Sequence, residues 1–301
     1  MANWAWRTAI GLAAIAVVSA GVCEDAPSAG ASGGRYKVGA DVYLGLSNIG
    51  GHRTYTDGMW AGAAPAYPSV VYATWGRGEA TTAKLSVGSG ELTTNAERIF
   101  DEPVEAWWLI PAGSATLKLG KYFVPLAAQE WEYETKWGAM LQGSRSGFDT
   151  TLSANYNKHA HRMNGYARVA RSVGSDASVG LSVATGRGLA YGTTHDFAWG
   201  VDASAAVGGW RVATELLRLG RRASDNAYFA FAKVGYEKLG AWQPWLGIYA
   251  WNDESGDMGR FRSTVYGLNY TVSDGLALEG AVAPTSDGRV SWLQLHWTWE
   301  K

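Results

Sequence analysis

The stretch Arg289–Lys301 reads RVSWLQLHWTWEK. Four apolar residues, Leu293, Leu295, Trp297 and Trp299, alternate with polar ones along it. A period of two predicts a β-strand with one apolar and one polar face. As a free edge in water, such a strand would recruit other chains through its unpaired N–H and C=O groups. The pattern therefore predicts that this strand closes a barrel against an N-terminal strand and turns its apolar face to lipid.

The composition agrees with a membrane barrel and argues against other classes of protein. The chain has 301 residues, a formal net charge of −1 and a single cysteine. A chain with such balanced charge lacks the excess of basic residues that is typical of nucleic-acid-binding proteins, and a single cysteine excludes a disulfide framework. Although 47% of the residues are hydrophobic, the mean hydropathy is only −0.13, which is too low for a bundle of membrane helices. The 16 tryptophans, 15 tyrosines and 39 glycines fit strands that meet a membrane interface.

The N-terminal region has the features of a secretory signal. Residues 1–20 contain a basic residue, Arg7, followed by the apolar run Ile10–Val18 and small residues suited to cleavage. The run is too short to favour a transmembrane helix. Residues 21–34 are predicted to be a flexible linker, and residues 35–301 the transmembrane barrel.

The rest of the chain reads as short strands separated by Gly, Asn, Asp and Ser. The predicted fold class is all-β, a transmembrane antiparallel β-barrel of about 16 strands, an even number as in single-chain bacterial barrels. Merging doubtful pairs gives an alternative of about 14 strands. The predicted strands are 35–47, 67–76, 80–91, 103–111, 115–123, 137–143, 148–156, 163–173, 177–186, 196–207, 210–218, 227–237, 242–251, 260–272, 276–283 and 289–299.

The predicted connections alternate between short and long. Ala112-Gly113, Gly208-Gly209 and Asp274-Gly275 are examples of tight turns, in which glycine supplies the positive φ that hairpins require. Short turns at one end and longer loops at the other are typical of transmembrane barrels, with the turns in the periplasm. The longer predicted connections are 48–66, 92–102, 124–136, 187–195 and 252–259.

An even number of strands sets the expected orientation of the last one. With the N-terminus in the periplasm, the last strand runs toward the periplasm and pairs with the strand at 35–47. Trp297 and Trp299 are then expected in the periplasmic aromatic girdle, with Glu300 and Lys301 in water just beyond it. Other outward aromatics predicted for the two girdles are Tyr36, Trp210, Tyr236, Trp242 and Tyr270 near the turns, and Tyr156, Phe197 and Tyr228 near the loops.

If the apolar face meets lipid, the polar face must line a lumen. A barrel of about 16 strands is too wide for side chains to fill, so a water-filled channel is expected. Six basic and six acidic residues are predicted to line it, and this balance predicts weak ion selectivity. Alternatively, these charges only solvate the wall and form cross-strand pairs. The predicted pore-lining residues are Lys37, Asp41, Lys84, Glu105, Lys118, Asp149, Arg168, Asp202, Arg211, Glu215, Lys233 and Glu279.

Two stretches resemble the general diffusion porins of Gram-negative outer membranes. One is the aromatic-rich last strand, although two charged residues follow its final tryptophan. The other, Gly120–Pro125 (GKYFVP), is similar to the glycine-basic-aromatic run and proline that end the fifth strand of those porins. The resemblance implies that loop 124–136 folds into the lumen and narrows it, with Glu130, Glu132 and Glu134 adding a cation preference. The alternative is an ordinary exposed acidic loop.

The resemblance also implies a function and a cellular location. It implies a porin in the outer membrane of a Gram-negative bacterium, through which small hydrophilic solutes diffuse passively. The expected partners are those solutes, outer-membrane lipid including lipopolysaccharide, and two further copies in a homotrimer. Strands 67–76 and 103–111 are apolar on both faces, as expected of a wall packed between an infolded loop and neighbouring subunits. No cofactor is expected.

Two further sets of residues leave alternatives open. Alternation places five aromatics on the inner face of two neighbouring strands, which suggests a sugar-selective porin, whereas a shifted register would turn them to lipid or a subunit. Five arginines near loop ends are predicted to form a basic vestibule or to bind lipopolysaccharide phosphates. The aromatics are Phe229, Phe231, Trp245, Tyr249 and Trp251, and the arginines are Arg218, Arg221, Arg222, Arg260 and Arg262.

Catalytic motifs are absent from the sequence. It contains neither a Gly-x-Ser-x-Gly motif nor a CxxCH haem motif, and of the five histidines only His296 lies outside the predicted loops and their edges. We therefore expect no enzymatic activity and no metal site. An outer-membrane hydrolase and a structural or adhesive barrel remain as alternative functions.

Overall fold

The computed structural model describes residues 34–49, 52–56, 69–77, 80–88, 104–127, 135–158, 160–187, 189, 195–220, 226–253, 260–285 and 288–301. The predicted signal peptide lies outside these residues, as does the predicted linker except for its last residue, Gly34, which begins the first strand. The described part of the chain contains no helix long and apolar enough to cross a membrane.

The described residues form seventeen strand segments. The first nine are β1 (Gly34–Ile49), β2 (His52–Thr56), β3 (Val70–Arg77), β4 (Ala80–Gly88), β5 (Glu105–Ala112), β6 (Ala115–Phe123), β7 (Thr135–Arg145), β8 (Phe148–Asn157) and β9 (Arg162–Val173). The others are β10 (Ala177–Thr185), β11 (Phe197–Val207), β12 (Trp210–Gly220), β13 (Asn226–Tyr236), β14 (Trp242–Asp253), β15 (Arg260–Ser273), β16 (Leu276–Thr285) and β17 (Gly288–Glu300).

These segments form one closed antiparallel barrel. Consecutive strands from β3 to β17 pair with one another, β3 also pairs with β1, and β17 closes the ring on β1, from Gly39 opposite Glu300 to Asn48 opposite Ser291. The short β2 shares one side of β1 with β3, so the seventeen segments occupy sixteen positions. The predicted sixteen strands and the closing role of the last strand are confirmed. The connection predicted at 48–66 differs, because its residues 52–56 form β2.

The C-terminal tail takes part in the closing ladder. The N–H of Lys301 donates to the carbonyl of Val38, and the N–H of Val38 donates to the carbonyl of Lys301, both at 2.9 Å. Both C-terminal residues are exposed, but Glu300 belongs to β17 and its carboxylate lies 2.7 Å from Lys37 Nζ. The tail was expected simply in water beyond the barrel, whereas the structure uses it to extend the seam.

Tight turns join the strands at one end of the barrel. Gly113 has φ 66° and Gly275 has φ 75°, the left-handed conformation that the predicted hairpin turns require. At the other end most connections are longer, as predicted. Two are short as well, residues 158–161 between β8 and β9 and residues 286–287 between β16 and β17.

Large apolar side chains cover the outer face of the barrel, where aromatics form the predicted bands. Near the turns, the rings of Trp210 and Tyr236 lie 4.8 Å apart and those of Trp242 and Tyr270 lie 4.4 Å apart. This apolar exterior is the surface that a barrel presents to lipid. The other predicted outward aromatics, Tyr36, Tyr156, Phe197, Tyr228, Trp297 and Trp299, are also exposed.

Candidate lumen and constriction

The chain that follows β6 turns into the barrel. The N–H of Ala127 donates a hydrogen bond of 2.9 Å to the hydroxyl of Ser182 on β10, which lies four strands from β6 around the ring. A contact between walls so far apart requires the segment to cross the interior. Val124 and Leu126 are fully buried. Within the described residues 124–127, the loop therefore folds inward, as the porin resemblance implies.

Local sequence explains how the strand bends at this point. Gly120 has φ 129°, and a Cβ atom there would lie 2.0 Å from the carbonyl oxygen of Ala106 on the neighbouring strand. Only glycine fits so close to a backbone. Beyond Pro125, the N–H of Leu126 donates to the carbonyl of Val124, and Ala127 adopts φ 51°. The run that resembles porin strand five thus ends in a sharp turn toward the lumen.

The inner wall is shaped to receive this segment. Arg168 Nη1 donates to the Ser182 hydroxyl at 3.1 Å, and the same guanidinium forms a two-pronged ion pair with Asp202, with Nη2 lying 2.7 Å from Oδ1. Such bidentate pairs fix geometry as well as charge. A Cβ atom at Gly200 would lie 2.9 Å from the Cβ of Ala127, so the wall has no room for a larger residue there.

The five aromatics of β13 and β14 lie inside and are buried. Phe231 and Tyr249 stack with ring centroids 5.8 Å apart. All five belong to the same buried cluster as Val124 and Leu126, together with inner side chains from β9 to β17. The placement by alternation is confirmed, and the shifted register is wrong. Because other side chains cover these rings, they belong to the packed interior and not to an open channel wall. The aromatics are Phe229, Phe231, Trp245, Tyr249 and Trp251.

The strand register puts all twelve predicted pore-lining residues on the inner face, opposite the exposed apolar side chains. Two ion pairs form among them: Lys84 pairs with Glu105 on the adjacent strand, and Arg168 on β9 pairs with Asp202 on β11, across the intervening β10. Glu105 also accepts a hydrogen bond of 3.0 Å from the indole N–H of Trp107. Much of the charge on this wall is therefore locally neutralised.

Two of the predicted lysines lie over aromatic rings. Lys118 Nζ is 4.4 Å from the ring centroid of Trp107, and Lys233 Nζ is 4.4 Å from that of Trp245. Among the described side chains, no carboxylate lies within 4.0 Å of either ammonium. An aromatic face stabilises a cation without cancelling its charge. These two lysines consequently leave positive charge on the inner wall.

A charged network joins the inner faces of β16, β17 and β1 where the barrel closes. His296 Nε2 lies 2.7 Å from Asp41 Oδ1, and His296 Nδ1 lies 3.2 Å from Glu279 Oε1. Gln294 Nε2 donates to Glu279 Oε2 at 2.6 Å, and the ring of Tyr43 stacks on the imidazole at 4.1 Å. The sequence pattern alone assigns no role to His296. Its position on the polar face of the last strand could have predicted this contact, because closing the barrel brings that face against Asp41.

The remaining predicted residues lie near the turn end or are buried. Asp149 accepts a hydrogen bond from Ser144, and Arg211 Nε lies 2.7 Å from Glu237 Oε1. Glu215 is 1% exposed. The predicted constriction residues lie outside the described residues; they are Glu130, Glu132 and Glu134.

Within the described residues, no group of three or more His, Cys, Asp or Glu side chains is arranged to hold a metal ion. The inner wall instead combines paired charges, two lysines on aromatic rings and an infolded segment. A closed barrel with an apolar exterior, a charged inner wall and a segment crossing its interior has the architecture of a channel.

Solved porins share this architecture. An anion-selective porin from Comamonas acidovorans superposes with a TM-score of 0.63 and 13% identity, over 89% of this chain and 99% of that one. A mutant of the Rh. blastica porin superposes with a TM-score of 0.56 and 12% identity, over 88% of this chain and 100% of that one. A loop-deletion mutant of OmpT, an outer membrane protein of Vibrio cholerae, superposes with a TM-score of 0.60 and 9% identity, over 89% of this chain and 99% of that one.

At these identities the likeness is one of fold, and in fold the chain is a sixteen-stranded barrel of the porin type. The resemblance seen in the sequence is confirmed to that extent. No protein-family model matches the chain, and no curated protein matches it in sequence.

Proposed function

We propose that this protein is an outer-membrane porin of a Gram-negative bacterium, a water-filled channel for passive diffusion of small hydrophilic solutes and ions. The observation that carries the proposal is the hydrogen bond from Ala127 to Ser182. It holds a loop segment inside the barrel, where the segment would narrow the lumen. A narrowed lumen admits solutes by size, and the process needs no chemical step.

The charges on the inner wall support weak selectivity. The predicted six basic and six acidic residues lie on the inner face, with Glu215 buried, and the pairs among them would reduce the field that a passing ion meets. Lys118 and Lys233 add positive charge, whereas Glu130, Glu132 and Glu134 would add negative charge if they follow Ala127 into the lumen. We propose that these contributions offset one another.

A liposome-swelling assay tests the proposal. Vesicles that contain the purified protein should swell in isotonic solutions of small sugars, at rates that fall steeply as the sugar becomes larger. Parallel lipase and protease assays address the barrel-hydrolase alternative and should give no turnover. Absence of swelling, with or without hydrolysis, would contradict the channel.

The proposal extends to a homotrimer. On β3, β4 and β5 the outer face carries large exposed apolar residues, which an interface between subunits would bury. These residues are Trp75, Leu85, Trp108 and Ile110. In mild-detergent gels a trimeric band that collapses on heating is expected, and a monomer at every temperature would contradict this part.

The location also belongs to the proposal. We infer that residues 1–20 are a signal peptide that is removed during export, after which the barrel enters the outer membrane. Sequencing the N-terminus of the protein from isolated outer membranes would test both points, and an intact Met1 there would contradict cleavage.

A further inference from the structure

Three arginines near the loop end project from the outer face of the barrel. Arg218 on β12 pairs in register with Tyr228, Arg260 on β15 pairs with Asn252, and Arg262 pairs with Ala250. The register gives these positions the same orientation as exposed apolar residues of the same strands, which cover the outer wall. We call Arg218, Arg260 and Arg262 the outer basic belt.

This orientation decides between the two predictions for the arginines, a basic vestibule at the channel mouth or a site that binds lipopolysaccharide phosphates. A basic vestibule requires side chains that face the channel mouth, and these three face away from it. Arg221 and Arg222 lie outside the described residues. The three described arginines therefore meet whatever surrounds the barrel at the height of the loop ends.

The belt has few partners within the protein. Arg218 Nη2 donates to Asn226 Oδ1 at 2.9 Å, and its guanidinium lies 5.6 Å from the ring of Tyr228. Its Nε is buried and has no hydrogen-bond partner among the described residues. Arg260 and Arg262 are exposed, and no described carboxylate pairs with either. An arginine keeps its charge at any physiological pH, so these groups need an anion.

The described rows of the outer wall that contain the belt hold no acid that would supply that anion. The two registered rows that contain the belt run from β11 to β15 and consist of apolar, aromatic, amide and arginine residues. The upper row is Trp199, Arg218, Tyr228, Asn252 and Arg260, and the lower row is Val201, Leu216, Ala230, Ala250 and Arg262.

We propose that the outer basic belt binds the phosphate groups of an anionic membrane lipid in the leaflet at the loop end. At the edge of a bilayer, lipid phosphates are the anions that an outward-facing arginine meets, and guanidinium groups bind phosphate bidentately. The apolar residues of the lower row, Val201, Leu216, Ala230 and Ala250, lie against the acyl chains of the same leaflet. Because β12 and β15 are three strand spacings apart, about 14 Å, a lipid with more than one phosphate, or two neighbouring lipids, would span the belt.

Electron spin resonance of labelled lipids tests the proposal on the full-length protein. The protein is reconstituted into dioleoylphosphatidylcholine vesicles that contain a trace of spin-labelled phosphatidic acid or spin-labelled phosphatidylcholine. The motionally restricted fraction of each label gives its preference for the barrel wall. The variants are Arg260→Gln/Arg262→Gln, with and without Arg218→Gln, and the matched control is Arg35→Gln/Arg211→Gln, which removes two arginines from the inner face.

We expect the wild-type wall to prefer phosphatidic acid over phosphatidylcholine by at least about fivefold at low salt. The triple variant should lose this preference and the control should keep it. Equal retention of both labels by the wild type, or an equal loss in the control, would overturn the proposal. So would displacement of the labelled lipid by inorganic phosphate beyond that by sodium chloride of equal ionic strength, because the site would then take the free anion.

The inference rests on the proposed membrane location but not on the channel. Liposome swelling should be the same in the triple variant and the wild type. Loss of lipid preference without loss of swelling therefore separates the belt from the pore, and a barrel that binds the lipid but never conducts would contradict only the proposed function.

Discussion

Ala127 meets the inner wall of the barrel at Gly200 on β11, a position that tolerates no side chain. A Cβ atom at Gly200 would lie 2.9 Å from Ala127 and 3.4 Å from Leu217. The nearby Ser182 hydroxyl, held by Arg168, accepts the N–H of Ala127. The position of the infolded segment thus depends on a few atoms, and single substitutions should move it.

Gly200→Val should displace the segment from the wall. Its branched side chain would overlap Ala127, and such overpacking costs about 1–3 kcal/mol. We expect larger or noisier single-channel conductance with the barrel still assembled. Gly165→Val is the matched control, since its Cβ would lie on the outer wall 3.7 Å from the nearest side chain of Thr185. Equal conductance in the two variants would contradict the role assigned to the segment.

Lys118 and Lys233 should influence ion selectivity more than the paired residues do. Replacing both with glutamine removes positive charge that no described carboxylate pairs with directly, so the reversal potential in a salt gradient should shift toward cation preference.

The control for these lysines is Lys84→Gln/Glu105→Gln, which removes an ion pair without changing the net charge. It should shift the reversal potential less. A larger shift in this control than in the lysine variant would show that local pairing does not govern the field in the lumen.

The seam between β1 and β17 holds the barrel shut along ten registered pairs. At its turn end the backbone of Lys301 bonds in both directions to Val38, and the carboxylate of Glu300 pairs with Lys37. Further along, His296 bridges Asp41 and Glu279. The seam thus carries side-chain contacts that specify its register beyond the backbone ladder.

Removing Glu300 and Lys301 should weaken closure. The truncation deletes two backbone hydrogen bonds and an exposed ion pair, which together contribute about 1–3 kcal/mol. Urea unfolding in micelles should show a lower midpoint, and refolding into vesicles should be slower. Glu300→Gln keeps the backbone bonds and should behave nearly as the wild type; a loss as large as that of the truncation would assign the effect to the carboxylate instead.

His296→Ala should destabilise the barrel more than a surface substitution would. It leaves Asp41 and Glu279 without the group that bridges them, at a cost of about 1–3 kcal/mol. The measurement is the free energy of unfolding in urea. His296→Gln retains a side-chain donor and should recover part of the loss, whereas equal stability of all three proteins would mean that the network is incidental.

The sequence predicted the strands and their faces because alternation and turn glycines are local signals. Alternation alone placed Phe229 and Tyr249 on the inner face, where the structure has them, and the twelve charged residues fall on the same face by register, while their role in lining a pore stays a prediction. The sequence could not show that packing buries the aromatics, or that Ser182 accepts the N–H of Ala127, because these contacts join strands and loops across the ring. The short β2 was missed because its five residues, HRTYT, include one aromatic and no other large apolar side chain, so they show no alternation of apolar and polar residues.

At the level of the whole barrel, the outer and inner walls lead to separate expectations. The outer wall, with its aromatic bands and outer basic belt, governs contact with lipid and other subunits. The inner wall and the infolded segment govern what passes through. Substitutions on one wall should therefore leave the property of the other unchanged.

Single-channel recording in planar lipid bilayers tests the central claim most directly. Purified protein added to one side should produce discrete, ohmic current steps, with a reversal potential close to zero in a salt gradient. Insertion of the folded barrel without current steps would contradict the claim that this protein forms an open channel.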